Sequence, residues 1–287
     1  MGREHVVPLE DLLRFIREDA PWGDVTSRTV VPDVACRAVV VAKDHGIIAG
    51  LAEARMLFEH FEVMVRECSS DGYPVTPGEI LLELDGPARA ILLIERTALN
   101  VIGRMSGIAT RTREAVDAVA AISPTVRVAA TRKTAPGLRA LDKKAVMLGG
   151  GDPHRYTLSD MILIKDNHLV LVPLPEAVRR AREGSRYVMV EVEVETSDDA
   201  ITAADAGADI ILLDNMTPDE VRETVRALSG RGLRDRVLLE VSGRVAGGDL
   251  SRYAATGIDI ISMGALTHTI RNFDVSLDIL GEAPDLP

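Results

Sequence analysis

The chain has 287 residues, of which 46% are hydrophobic and 3% aromatic, and its formal net charge is −11. A chain of this length can bury a substantial core, either as one large domain or as two smaller ones. Its longest apolar runs are strand-sized and far short of the roughly 20 residues that span a bilayer, so no membrane segment is predicted. The acidic balance and the scarcity of aromatic residues argue against a nucleic-acid surface, which needs basic stripes and stacking platforms.

The N-terminus and the cysteines indicate the compartment. Glu4, Glu10 and Asp11 lie in an N-terminal stretch that lacks the apolar core of a secretory signal. Cys36 and Cys68 show neither metal-binding nor redox spacing. A reducing cytoplasm is therefore the expected location.

The N-terminal third predicts a small α+β layer domain. Apolar residues recur at helical spacing from Leu9 to Ile16, which predicts an amphipathic helix. Short strands are predicted at 38–42, 63–65 and 80–84. A long helical segment at about 88–120, interrupted near Ser106-Gly107, leads into the rest of the chain.

From residue 125 the pattern alternates between apolar strands and helices. The predicted strands are 126–132, 161–165, 187–194, 209–213, 237–241 and 259–263, and the predicted helices include 176–183, 197–206 and 218–228, the last with Thr217 as its N-cap. Repeated βα units with apolar strands predict a parallel sheet covered by helices, and their number favours a (β/α) barrel one strand short of eight. This count leaves His154-Arg155 at the wrong end of a strand unless a short strand forms near 153–157 and brings the total to seven.

Polar residues fall at the carboxyl ends of the predicted strands, where barrels carry their chemistry. They are Arg132, Lys133, Lys165, Glu193 and Asp214, together with Ser242-Gly243 and Met263-Gly264-Ala265. The glycines near 243 and 264 expose backbone N–H groups after the last two strands, where barrels often bind phosphate. Six strand ends that converge on one face predict a site.

Basic side chains concentrate between residues 131 and 168 of this acidic chain, which indicates an anionic small-molecule partner. They include Arg132, Lys133, His154, Arg155 and Lys165. Lys165 follows an apolar run, and an unpaired buried ammonium is costly. It can therefore face an anion at a wet mouth, form a structural ion pair, or act as a Schiff-base lysine.

Carboxylates accompany these cations. Glu191, Glu193 and Glu195 alternate along one predicted strand and so point to the same side, and Asp214 ends the next strand. Such carboxylates can hold Mg²⁺, which prefers a few carboxylates and leaves its other positions to water and phosphate. They can equally bind ribose hydroxyls or form salt bridges across the barrel.

Several segments together resemble the quinolinate phosphoribosyltransferase family, also called carboxylating nicotinate-nucleotide pyrophosphorylase, over nearly the whole chain. They are 131–139 (TRKTAPGLR), 149–155 (GGGDPHR), 164–168 (IKDNH), 212–215 (LLDN), 264–268 (GALTH), 18–19 with 23–26, and 95–100 with 106–110.

The resemblance implies a fold and an assembly. The expected fold class is α/β plus α+β: an N-terminal α/β sandwich domain followed by a seven-stranded (β/α) barrel of the type II phosphoribosyltransferase kind. The sandwich would span 1–105, joined by the tail 269–287, and the barrel with the catalytic site would span 106–268. The chain would form a homodimer, with a hexamer of dimers as a larger assembly, and Arg96 would reach into the partner's site. Neither nucleic acid nor membrane is an expected partner.

The resemblance also implies an activity, that of a glycosyltransferase of the pentosyltransferase class. Phosphoribose would pass from phosphoribosyl pyrophosphate to quinolinate with Mg²⁺ as cofactor, and decarboxylation would give nicotinate mononucleotide, pyrophosphate and CO₂ in de novo NAD biosynthesis. The implied catalytic residues are Lys133, Lys165, Glu193 and Asp214. The implied substrate-binding residues are Arg96, Thr131, Arg132, Lys133, His154, Arg155, Lys165, Glu193, Asp214, Ser242, Gly243, Arg244, Met263, Gly264 and Ala265. Glu193 and Asp214 would be the metal ligands, with Mg²⁺ held mainly by pyrophosphate and water.

Alternatives stay open at this stage. Arg244 departs from the family pattern and either adds a phosphate contact or narrows its loop. A paralogue associated with molybdate transport shares the family pattern but typically lacks the lysine of the Lys165 to His168 segment. A Schiff-base lyase using Lys165 and a non-catalytic anion-binding barrel are the candidates from other classes.

Overall fold

The computed structural model describes residues 7–243 and 249–282. The helices are α1 (Leu9–Asp19), α2 (Val25–Val30), α3 (Leu51–His60), α4 (Ala88–Ala120), α5 (Arg139–Leu148), α6 (Asp166–Leu169), α7 (Leu174–Gly184), α8 (Ser197–Ala206), α9 (Pro218–Gly230), α10 (Leu250–Ala254) and α11 (Ala265–His268). The strands are β1 (Ala35–Ala42), β2 (Gly46–Ile47), β3 (Met64–Glu67), β4 (Pro74–Val75), β5 (Ile80–Pro87), β6 (Arg127–Ala129), β7 (Ile162–Ile164), β8 (Val190–Val194), β9 (Ile210–Asp214), β10 (Leu238–Ser242), β11 (Ile260–Ser262) and β12 (Val275–Glu282). None of the described helices combines the length and the apolar character needed to cross a membrane.

Two compact units divide the described residues. The first comprises 7–113, 136–150 and 269–282, and the second comprises 114–135, 151–243 and 249–268. The boundaries expected from the sequence, 1–105 with 269–287 against 106–268, stay a prediction. The compact units differ from them in assigning residues 106–113 and 136–150, the latter containing α5, to the first unit.

The first unit is built on a four-stranded antiparallel sheet in the order β12-β1-β5-β3. Its central strand β1 is fully buried at Val40, which pairs with Leu82 on one side and Leu277 on the other. The predicted strands at 38–42, 63–65 and 80–84 correspond to β1, β3 and β5, and the predicted first helix corresponds to α1. β12 covers one edge of β1 and so brings the C-terminal segment into this sheet.

Helix α4 runs without a break from Ala88 to Ala120, so the predicted interruption near Ser106-Gly107 is wrong. Ser106 is fully buried, and its hydroxyl binds both the N–H and the carbonyl of Ala49 at 2.9 and 3.1 Å. A Cβ at Gly107 would lie 2.2 Å from the carbonyl oxygen of Arg271. Ser106 and Gly107 therefore allow the backbone at Ala49 and Arg271 to pack closely against a continuous helix. This role depends on contacts between distant segments and cannot be recognised from the local sequence.

The second unit is built on six parallel strands in the order β6-β11-β10-β9-β8-β7. One face carries buried apolar residues such as Ile211, Leu239 and Ile261, which match the helix-covered side of a parallel α/β sheet. Thr217 caps α9 as predicted: its Oγ1 accepts from the Glu220 N–H, and the Glu220 carboxylate accepts from the Thr217 N–H at 2.7 Å. The six strands and three helices predicted by range in this region are all present with shorter or longer ends.

The predicted short strand at 153–157 does not form. Only Asp152 pairs in parallel with Ala129 of β6, through hydrogen bonds between Asp152 N and Val128 O (2.8 Å) and between Ala130 N and Asp152 O (2.9 Å). Arg127 also binds the Asp152 carboxylate at 2.9 Å. The described sheet therefore has six strands and one bridged residue, and His154 follows that bridge at the carboxyl end of β6.

We predict that Gly107→Ala destabilises the protein, because the added methyl group must push the Arg271 carbonyl away from α4. The expected loss in free energy of unfolding is about 1–3 kcal/mol, the usual cost of overpacking. Urea unfolding followed by circular dichroism measures it. Gly230→Ala is the control, since Gly230 ends α9 with open space around its Cβ position, and equal stability of both variants would contradict the packing argument.

Candidate functional site

A cavity of about 370 Å³ lies at the carboxyl ends of the parallel strands in the second unit. Nine of the predicted site residues line it: Thr131, Arg132, Lys133, His154, Arg155, Lys165, Glu193, Asp214 and Ser242. Five residues absent from the predicted set also line it: Ala130, Leu163, Leu212, Glu240 and Ser262. Side chains far apart in sequence thus meet at one cavity, as the rule for strand ends in barrels anticipates.

The other predicted residues take different places. Met263 is buried, and Ala265 begins α11. A Cβ at Gly264 would lie 2.8 Å from the Cδ of Lys133, so this glycine leaves room for the lysine stem. Arg96 is an exposed residue of α4 in the first unit. Arg244 lies outside the described residues.

Two arginines bring positive charge to the cavity. Arg132 is half-buried, and its Nε has no hydrogen-bond partner. Burial, and then the positive charge of Arg132, lower the pKa of Arg155. Two guanidinium groups held close enough to repel each other are stabilised by an anion, and their planar fork of donors suits a carboxylate or a phosphate.

Lys165 follows β7 and forms an ion pair with Glu193 of β8. The Lys165 N–H donates to Nδ1 of His168 at 2.9 Å, and the Asp166 carboxylate accepts from the Asn167 N–H at 2.7 Å. The Lys165 to His168 segment is therefore a self-capping turn that fixes where the lysine leaves the backbone. Lys165 thus forms an ion pair and also lines the cavity. The sequence had left open a structural ion pair and a place at the mouth of the site, and the structure shows both.

Asp214 ends β9, and Asn215 holds its carboxylate. Asn215 Nδ2 donates to Asp214 Oδ2 at 2.6 Å, while Asn215 N donates to the Ser242 carbonyl at 3.1 Å. Asn215 has a φ of 55°, which asparagine tolerates better than most residues. A Cβ at Gly243 would lie 2.4 Å from Asn215 Oδ1, so Gly243 is required for this turn. Asn215 was in the family motif but was missing from the predicted site.

A buried cluster lies in the wall of the cavity. His154 Nε2 is 3.4 Å from Oε2 of Glu191 and 3.3 Å from Oε2 of Glu240. The two glutamates are 0% and 1% exposed. In the sequence, Glu191 is only one of several strand carboxylates, and Glu240 is not among the predicted site residues. A lone charged residue in β10, between Leu239 and Val241, is the signal that could have found it. Glu195, the third residue of the alternation, lies beyond β8 and is exposed.

The electrostatics of this cluster favour a charged imidazole. Burial alone would lower the pKa of His154, but hydrogen bonding and charge from Glu191 and Glu240 outweigh it and raise the pKa to about 9. Burial, reinforced by the charge of Glu240, raises the pKa of Glu191 despite the opposing effect of His154. Among the described residues these three side chains form the one set of potential metal-binding groups within 4.8 Å. A metal would have to displace the proton on His154, so we interpret the set as an ion cluster.

The parallel βα units and the charged cavity at their strand ends are those of an enzyme of the α/β-barrel class. Family models identify it further: the N-terminal domain of quinolinate phosphoribosyl transferase matches residues 24–106, and the C-terminal domain matches residues 108–278. The chain belongs to the quinolinate phosphoribosyl transferase family. The predicted family and the predicted class, a pentosyltransferase, are thereby confirmed.

Individual relatives agree with this assignment. The chain is 44% identical over 276 residues to the "Probable nicotinate-nucleotide pyrophosphorylase [carboxylating]" of Methanothermobacter thermautotrophicus, covering 94% of this chain and 99% of the relative. It is 36% identical to the nicotinate-nucleotide pyrophosphorylase (carboxylating) of Homo sapiens, with 93% and 90% covered. The solved structure of the enzyme from Francisella tularensis has a TM-score of 0.89 at 33% identity and covers 97% of this chain and 99% of its own. The predicted fold class is confirmed by this similarity.

We predict that His154 keeps its proton through neutral pH and loses it at about pH 9. Because the pKa is raised on folding, the stability that this charge contributes is complete below about pH 6.5, the ordinary value, and is lost as pH rises through about 9. A titration of imidazole resonances by NMR measures it, with the His154→Gln spectrum assigning the signal. A midpoint near the ordinary histidine value would contradict the cluster's electrostatics.

Proposed function

We propose that the chain transfers phosphoribose from phosphoribosyl pyrophosphate to quinolinate, with Mg²⁺ as cofactor. Decarboxylation then gives nicotinate mononucleotide, pyrophosphate and CO₂, in de novo NAD biosynthesis. The observation that carries the proposal is one cavity lined both by the cations Arg132, Arg155 and Lys165 and by the carboxylates of Glu193 and Asp214. The family assignment and the names of the relatives supply the substrates that this combination of charges would serve.

Quinolinate carries two adjacent carboxylates and needs several cations around one ring. Arg132 and Arg155 would bind a carboxylate with paired donors, while Lys165 and His154 would act as point charges. Lys165 enters this set already paired with Glu193, so an arriving carboxylate would share the ammonium rather than find it unpaired. This arrangement restricts where the ring can lie and so helps to orient its nitrogen.

The phosphoribosyl group would lie against the other strand ends. Thr267 Oγ1 donates to the Lys133 carbonyl at 2.9 Å, and Gly264 makes room for the Lys133 stem, so the lysine is held for a phosphate contact. Thr131 and the backbone at Ser242-Gly243 and Met263-Gly264-Ala265 are the other proposed phosphate-side contacts. Arg244 stays a predicted contact outside the described residues.

The carboxylates of Glu193 and Asp214 would bind ribose hydroxyls and stabilise the transition state. Departure of pyrophosphate leaves positive charge on the ribose, and fixed negative charge nearby lowers the energy of that state. No covalent nucleophile is needed. After transfer, the ring nitrogen is positively charged and stabilises the carbanion that forms when CO₂ leaves the adjacent carbon.

The same two carboxylates fit a magnesium site. Both are oxygen donors on the cavity wall, and each keeps part of its coordination capacity because Lys165 and Asn215 engage one oxygen apiece. Glu193 and Asp214 would therefore hold the ion together with water and phosphate. Bound Mg²⁺ would neutralise charge on the leaving pyrophosphate.

Assembly and location complete the proposal. We propose a homodimer in which Arg96 adds a cation to the partner's site, since this side chain is exposed on α4. Association into a hexamer of dimers and a cytoplasmic location remain predictions.

A turnover assay tests the proposed reaction. Purified protein is incubated with phosphoribosyl pyrophosphate and quinolinate, or nicotinate in its place, each with Mg²⁺ and with excess EDTA, and products are identified by mass spectrometry. Nicotinate mononucleotide formed only from quinolinate, and only with Mg²⁺, is the expected result.

Other outcomes would select the alternatives. No product from a folded protein would favour the molybdate-associated paralogue, and binding of both substrates without turnover would favour an anion-binding barrel. Borohydride trapping of a carbonyl substrate would reveal a lyase. The ion pair of Lys165 with Glu193 weighs against that last alternative, because a Schiff-base lysine needs a neutral amine in an apolar pocket.

We predict that Arg132→Ala raises the KM for quinolinate at least about tenfold and changes the KM for phosphoribosyl pyrophosphate by less than about twofold. Losing one charge-assisted contact to a carboxylate costs roughly 1.5–3 kcal/mol. Steady-state kinetics measure both constants, and Arg226→Ala on the exposed face of α9 is the control. Equal losses for both substrates would remove the assignment of Arg132 to the dicarboxylate.

A further inference from the structure

Two glutamates of the barrel have no role in the proposed reaction, yet they are the most deeply buried acids near the cavity. Glu191 lies in β8 and Glu240 in β10, with exposures of 0% and 1%. The strand register places Glu240 level with Glu193, and Glu191 one layer deeper, on the same face of the sheet. Burying a carboxylate is unfavourable unless a positive or hydrogen-bonding group lies against it. We therefore ask which group stabilises Glu191 and Glu240 and what it contributes to the site.

The ring of His154 lies within ion-pair distance of both carboxylates. Its Nε2 lies 3.4 and 3.3 Å from the two Oε2 atoms. Beyond this ion-pair contact, neither Glu191 oxygen, nor Oε2 of Glu240, has a hydrogen-bond partner among the described residues. Glu193 and Asp214 differ, since each of them engages a side chain at the rim of the cavity. Glu191, which does not line the cavity, can therefore act on a ligand through His154, and Glu240, which does line it, is in contact with the same ring.

The backbone at His154 also needs such support. Asp152 is fixed to β6 by the parallel bridge, and two residues later His154 adopts a φ of 53°. A non-glycine residue in this left-handed region costs of order 1–3 kcal/mol and persists where its surroundings hold it. Contacts from two different strands to one ring nitrogen supply that restraint. The ring is thereby fixed in the cavity wall.

We propose that Glu191 and Glu240 are positioning residues which hold His154 as a fixed cationic contact for the second carboxylate of the aromatic dicarboxylate. The inference rests on the proposed function. A ligand with one carboxylate can be bound by the arginines alone, whereas two adjacent carboxylates need a further positive group at a set place. The buried pair would thus distinguish the dicarboxylate from its decarboxylated product.

The test compares Glu191→Gln, Glu240→Gln and His154→Asn with the wild type in three measurements. These are the KM for quinolinate, the KM for phosphoribosyl pyrophosphate, and the Kd for nicotinate mononucleotide by calorimetry. We expect the KM for quinolinate to rise at least about tenfold in each variant, and the other two constants to stay within about twofold. Glu53→Gln is the control, because Glu53 is an equally buried acid of the first unit and should alter stability alone.

Double variants show whether the glutamates act through the histidine. If they do, Glu191→Gln combined with His154→Asn should have the same KM for quinolinate as His154→Asn, within about twofold. The proposal would be overturned if the double variant raised the KM for quinolinate by the product of the two single effects. It would also be overturned if the single variants changed all three constants equally, or changed none of them. A tightly bound divalent metal that is lost in Glu191→Gln would overturn it as well, by making the three residues ligands.

Turnover and quinolinate binding by the wild type distinguish a failure of this proposal from a failure of the proposed function on which it rests. Turnover and calorimetric binding of quinolinate by the wild type, with unaffected glutamine variants, would defeat the positioning role alone. Absence of both from the wild type would defeat the proposed function and this inference together.

Discussion

The site depends on charged side chains that neutralise one another inside an otherwise apolar barrel. Lys165 pairs with Glu193, and His154 lies between Glu191 and Glu240, so four strands and loops are linked by opposite charges. Without a partner, Glu191 and Glu240 would each cost several kcal/mol to bury as charged groups. These ion pairs therefore restrict which side chains can lie together at the strand ends that surround the cavity.

The charges divide into two layers with different duties. In the deeper layer, Glu191 is 0% exposed and acts on a ligand through the residues around it, His154 first among them. At the rim, Arg132 has an unsatisfied Nε, and Asp214 keeps an oxygen beyond its contact with Asn215. A dicarboxylate requires cations and a developing positive charge on ribose requires anions. One cavity can bind both groups because its positive and its negative side chains belong to different strands and loops.

Most of the barrel was predictable because buried parallel strands and amphipathic helices have distinct periods. The strand-end rule likewise brought Arg132, Lys165 and Asp214 to one face from sequence alone. The predictions that were wrong or incomplete depended on contacts between residues far apart in the sequence. Ser106-Gly107 resembles a helix break but packs against backbone, and the segment after Asp152 forms one bridge where a strand was expected. Glu240 was overlooked because nothing local shows that a histidine almost ninety residues earlier in the chain lies against it.

The backbone explains why so much of the site lies in turns. His154 and Asn215 both have positive φ values, and both follow residues held by a neighbouring strand. Such conformations are unfavourable in isolation, so they are retained only where the surrounding contacts outweigh the cost. Here those contacts are the same side chains that set the charge of the cavity. Weakening an ion pair should therefore move a backbone turn as well as remove a charge, and electrostatics and geometry at this site cannot vary independently.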